Sequence, residues 1–183
     1  LSPKLKQQVS NLWDMFWSGG MTNPLTSIEQ ITYLIFLKRL EALDARRLQE
    51  GKPSIYGRRP NCELDHPQDE ARIDQTLPEG ANPVDYERCQ GHSTCRWSYL
   101  RGLSVRIDSK TGRTITPYDH MNGYVFPWLR VLHDTLRGFN HNVNGIGMLG
   151  APMEDAFFQF PKDKTVLFQN AIEAVDNLFA DIT

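Results

Sequence analysis

The chain has 183 residues, a formal net charge of −2, and 40% hydrophobic against 23% charged side chains. That composition supports one buried core and excludes a chain that is disordered or membrane-spanning as a whole. It also disfavours a free-standing DNA-binding domain, which is normally basic. No apolar run approaches the roughly 18 residues of a membrane span, the longest being Tyr33 to Leu37. Leu1 to Ser10 is too polar for the apolar region of a signal peptide. Three cysteines cannot all pair within the chain, so reduced thiols and a cytoplasmic location are expected. The first residue is Leu1 rather than Met, which suggests a trimmed piece of a longer protein.

Ser2 before Pro3 predicts a helix start, with Leu5, Val9, Leu12 and Phe16 on one face and Trp13 and Trp17 widening it. Gly19-Gly20 stops it. Thr26 and Glu29 form a capping-box pattern ahead of Ile28, Ile31, Tyr33 to Leu37, Leu40 and Leu43. This second helix is apolar on every side in its middle, as a buried central helix would be. From position 51 to 95 the composition changes, with Pro53, Pro60, Pro67, Pro78 and Pro83 in one stretch. An irregular surface insertion is expected there, holding little core of its own, with at most short helices near Asp69–Asp74 and Val84–Arg88. Trp97, Tyr99 and Leu100 mark the return to the body.

Val105 and Ile107, a turn at Lys110-Thr111-Gly112, then Thr114 and Ile115 predict one short β-hairpin. Thr116-Pro117 starts a further helix through Tyr118, Met121, Val125, Trp128, Leu132 and Leu136, which Pro127 must kink or split. The Gly- and Asn-rich segment 139–152 reads as a flexible loop. A last helix from about Asp163 carries Leu167, Ala171, Val175 and Leu178, with no stop signal by Thr183. The predicted fold class is mainly α: a single helical bundle over 1–183 with a long irregular insertion and one short hairpin.

Chemistry-bearing motifs are sparse. Gly145-Ile146-Gly147 lacks the preceding strand of a nucleotide loop. Asn23-Pro24 and Asn82-Pro83 lack the second proline and aromatic that an amino-methyltransferase motif needs, and both read as ordinary turns. Cys89, His92 and Cys95 are evenly spaced, with Cys62 and His66 upstream. Cys62, Cys89, His92 and Cys95 form an alternative zinc set, but the spacing is not that of a standard knuckle or ribbon, so no metal is assigned. His120 and His133 fall in one helical pattern and read as surface or satisfied core residues. No catalytic residue is assigned. Lys38, Arg39, Arg96, Arg101, Arg106, Lys110 and Arg113 are candidate phosphate contacts. The run from Arg96 to Arg113 contains no acid except Asp108, which makes it the best patch.

Five segments in order resemble the amino-terminal domain of the modification subunit of type I restriction-modification systems. They are Leu12-Trp13, Tyr33 to Leu40, Arg96 to Leu100, Tyr124 to Arg130, and Met153 to Pro161 with the helix of Leu167, Ile172 and Val175. The resemblance implies a helical bundle preceding a catalytic domain that binds S-adenosylmethionine and carries the Asn-Pro-Pro-aromatic motif. That motif does not occur in these residues, so the expectation is a segment with no chemistry and no cofactor of its own. The implied full-length protein is a DNA adenine-N6 methyltransferase. Its implied partners are double-stranded DNA, a specificity subunit, a second modification subunit and a motor-nuclease subunit. A stand-alone, zinc-stabilised interaction module is the alternative reading.

Overall fold

Ser2 and Asn23 each precede a proline, and each begins a helix. In the computed structural model, which describes residues 2–67, 76–139, 157–178 and 180, α1 spans Pro3–Ser18 and α2 spans Pro24–Gln49. Ser2 Oγ accepts from Leu5 N–H, and Asn23 Oδ1 accepts from the N–H groups of Leu25 and Thr26. Proline at the first position removes a donor that the helix would leave unpaired. The expected capping box at Thr26 and Glu29 is therefore displaced upstream by Asn23-Pro24. Glu29 instead accepts from the Tyr33 hydroxyl at 2.8 Å. Asn82-Pro83 acts likewise, capping a 3-10 turn over Pro83–Tyr86. The reading of both Asn-Pro pairs as plain turns is thereby corrected.

The chain continues through a second 3-10 turn at Ser93–Cys95, a one-turn α3 at Trp97–Leu100, and the hairpin strands β1 (Arg106–Ile107) and β2 (Thr114–Ile115). The strands pair antiparallel, Arg106 opposite Ile115 and Ile107 opposite Thr114. Next come α4 (Pro117–His120), with a Thr116–Asp119 capping box, a wide π-turn (Met121–Val125), α5 (Phe126–Phe139) and α6 (Thr165–Leu178). Pro127 does not split this run. The π-turn lies directly before it, and such a widened turn absorbs the backbone bond that proline cannot donate. The expected helix near Asp69–Asp74 and most of the expected 139–152 loop lie outside the described residues.

Most of the described buried apolar residues form one cluster. Leu12 and Phe16 enter it from α1, Leu34, Leu37 and Leu40 from α2, Phe126 and Trp128 from α5, and Phe168, Ala171 and Val175 from α6. Each large apolar side chain buried this way contributes about 1.5–3 kcal/mol. Val9, Trp17 and Ile28, expected on inward faces, are about half exposed. Phe158 and Phe160 fill the centre, stacked on each other at 4.7 Å with Phe168 edge-on to both. Two amide side chains hold this extended segment. Asn122 exchanges two hydrogen bonds with the Phe158 backbone, and the buried Gln30 bonds Phe157 O and Gln159 N.

The insertion is less peripheral than its composition implies. Ile55, Tyr56 and Cys95 belong to the main core, and Cys62, Tyr86, Cys89 and His92 are also buried. Its anchor is Asp44 on α2, fully buried, which accepts from Ser54 Oγ at 2.7 Å and Ile55 N–H at 2.8 Å. Arg96 closes the other end, with a guanidinium nitrogen 3.7 Å from Asp44 and its charge 4.5 Å above the Tyr56 ring. Both ends of the proline-rich stretch thus meet one carboxylate.

Candidate functional site

Two sets of side chains are candidates for function. The first lies in the insertion. Cys62, His66, Cys89 and His92 converge so that their ligand atoms all lie within 4.8 Å of one another. Cys89 Sγ is 3.6 Å from His66 Nε2 and 3.4 Å from His92 Nε2; Cys62 Sγ is 3.9 Å from both nitrogens. Cys62, Cys89 and His92 are buried and His66 is half-buried. The imidazoles lie 4.9 Å apart at 33°, and His92 leans toward Trp128 of α5.

Local backbone contacts explain the placement. The Arg59 N–H donates to Cys89 Sγ at 3.1 Å, and the Leu64 N–H supports Cys62 Sγ. Arg58 donates to the carbonyls of Cys89 and Tyr86, which fixes the second limb against the first. The His92 N–H donates to Tyr56 O at 2.7 Å. Hydrogen bonding with Cys62 pulls the Cys89 thiol well below the ordinary range and pushes Cys62 up, while burial pushes His92 down. The sequence set named Cys95 where the structure has His66. The turn at Ser93–Cys95 directs Cys95 into the helical body, its Sγ 3.7 Å from Tyr124 O. The signal for His66 was present: Cys62-x3-His66 and Cys89-x2-His92 are two half-sites, whereas even spacing drew attention to Cys95.

The second group comprises the basic candidates, which the fold does not gather into one patch. Lys38 of α2 lies 3.3 Å from Asp176 of α6 and donates to its carbonyl; Arg101 lies 3.5 Å from the same carboxylate, which also accepts from Trp97 Nε1. Arg96 faces Asp44. Arg39 is exposed on α2. Arg106 donates to His120 Nδ1 at 3.1 Å. A guanidinium only donates, so Nδ1 accepts and Nε2 carries the hydrogen, directed at Thr94 O, 2.9 Å away. His120 is thereby a satisfied, neutral core histidine, as its helical context led us to expect.

Lys110 and Arg113 sit on the hairpin, where residues 109–114 are all exposed. Asp108 builds the turn: its carboxylate accepts from the N–H groups of Lys110 and Thr111, and its carbonyl accepts from Gly112. Gly112 has φ +66°, a left-handed position that suits glycine. Among the described residues, no helix is long and apolar enough to cross a membrane.

Comparison with known proteins adds one match. The family described as the HsdM N-terminal domain matches residues 5–175. No curated protein and no solved structure matched the chain. The match spans the five segments quoted from the sequence, from Leu12 in α1 to Val175 in α6, and the mainly helical fold agrees with it. The chain therefore belongs to the HsdM N-terminal domain family, the amino-terminal domain of the modification subunit of type I restriction-modification systems.

Proposed function

We propose that this domain helps hold DNA and assemble the subunits of a type I adenine-N6 methyltransferase, without taking part in the transfer itself. The transfer would use S-adenosylmethionine bound by a separate domain of the same subunit. Extracting the target adenine from the stack costs a few kcal/mol, which contacts elsewhere on the duplex must offset. A helical domain that touches phosphates contributes that energy without reading sequence. Specificity then belongs to the specificity subunit, and the second modification and motor-nuclease subunits complete the assembly. The net charge of −2 suits a domain that meets DNA only as part of such a complex.

The observation that carries the reading is the hairpin. It holds Lys110 and Arg113 at exposed positions on a turn pinned by Asp108. The test is the salt dependence of DNA binding by the assembled methyltransferase. Replacing both Lys110 and Arg113 by Ala is expected to weaken binding similarly for specific and random duplexes. The slope of log affinity against log salt should fall by about 1–2. An unchanged slope would remove the hairpin from the interface.

A further inference from the structure

We propose that Cys62, His66, Cys89 and His92 bind one zinc ion that staples the two limbs of the insertion to the helical body. Tetrahedral zinc with sulfur ligands at about 2.3 Å and nitrogen ligands at about 2.0–2.1 Å requires S···N separations of about 3.6 Å. The four S···N separations here run from 3.4 to 3.9 Å. Two thiolates and two neutral imidazoles are the ligand chemistry that zinc takes in closed structural sites, with no position left for water or substrate.

Charge and packing point the same way. Without a cation, two thiols and two imidazoles converge on one another in a largely buried space, where an unpaired ionised sulfur is costly. Zinc binding releases both thiol protons to solvent and leaves a unit with no net charge, which suits burial. The N–H groups of Arg59 and Leu64 already point at the sulfurs, the support that metal-bound thiolates receive.

The sequence positions explain what the ion does. The limb carrying Cys62 and His66 and the limb carrying Cys89 and His92 are separated by 23 positions between His66 and Cys89. Pro-rich composition gives this stretch few apolar side chains with which to hold itself together. A metal closing that loop removes conformational freedom from the unfolded chain and adds bond energy in the folded one. Through His92, beside Trp128, it also fixes the insertion against α5.

The experiment is elemental analysis of the full 183-residue chain, purified under reducing conditions without chelator. One equivalent of zinc per chain is expected. The Cys95→Ser chain should keep that equivalent, while Cys62→Ser/Cys89→Ser should lose it. Because the double variant can also lose its fold, cobalt(II) exchange into the unaltered chain supplies a second measurement. It should produce the intense visible absorption of tetrahedral cobalt together with thiolate charge transfer. Chelation should accelerate protease cleavage within 51–95 on the order of tenfold, leaving the helices intact. A metal-free chain that takes up no added zinc, a Cys62–Cys89 disulfide in the reduced preparation, iron instead of zinc, or zinc lost with Cys95→Ser would each overturn the proposal.

Discussion

Asp44 shows how much one side chain decides here. It sits on α2 among apolar residues, fully buried, and its carboxylate is satisfied by the Ser54 hydroxyl, the Ile55 N–H and Arg96. Asp44→Ala leaves the buried Ile55 N–H without its acceptor and Arg96 without its counter-charge, and should cost about 2–4 kcal/mol. Asp44→Asn retains an oxygen for Ile55 and should cost less. Urea unfolding of both variants measures this; a loss below about 0.5 kcal/mol for Asp44→Ala would place it in the range of ordinary surface changes and refute the anchoring role. His120 supplies a pH-dependent counterpart. Burial, helped by the neighbouring Arg106 guanidinium, pushes it down to about 4, with Tyr99 stacked on one side and Tyr124 edge-on. The unfolded chain binds that proton near the ordinary value of 6.5, so the unfolded state gains protons first as pH falls. The stabilisation is complete above about pH 6.5 and is lost progressively towards pH 4, by about 3 kcal/mol in all. The difference in unfolding midpoint between the natural chain and His120→Gln, followed over that range, should show this slope; parallel curves would rule it out.

Helices meet where small residues let them. Gly19 ends α1, and a Cβ there would lie 2.6 Å from the Leu167 side chain of α6. Its φ of −81° suits any residue, so close approach, not backbone freedom, demands glycine. Gly19→Ala should cost about 1–3 kcal/mol through overpacking. Because the clash is with Leu167, the double variant Gly19→Ala/Leu167→Ala should lose less than the sum of the single variants, by more than about 0.5 kcal/mol. Strict additivity in thermal or urea unfolding would show that the two sites do not touch. The Phe158–Phe160 segment makes the same point without a helix. It lacks the regular ladder of a sheet, and Gln30 and Asn122 satisfy its backbone instead.

For the whole molecule, family membership and net charge set the expectation. If the domain supports the transfer without taking part in it, as proposed, the isolated chain should neither bind S-adenosylmethionine nor methylate DNA. Titration calorimetry with the cofactor, and a methyl-transfer assay on duplex DNA, check both; cofactor binding at micromolar affinity would contradict the reading. The zinc staple and the hairpin have distinct consequences. Losing the metal should loosen the insertion, whereas losing Lys110 and Arg113 should weaken DNA binding by the assembly without altering stability.

The amino-acid order alone discloses the main helices, the hairpin and the family. Those signals are local: proline after a cap residue, apolar spacing along α2 and α6, glycine at a left-handed turn, and short motifs in a fixed order. Each depends on neighbours within a few positions, so periodicity and turn chemistry report it. The partners of Asp44, the pairing of Lys38, Arg96 and Arg101 with carboxylates of the domain itself, and the convergence of the Cys62–His66 pair on the Cys89–His92 pair are of another kind. They bring together atoms 10 to 138 positions apart. Only the folded chain decides which of several chemically similar side chains come within bonding distance, because that choice belongs to packing, and spacing in the sequence does not encode it.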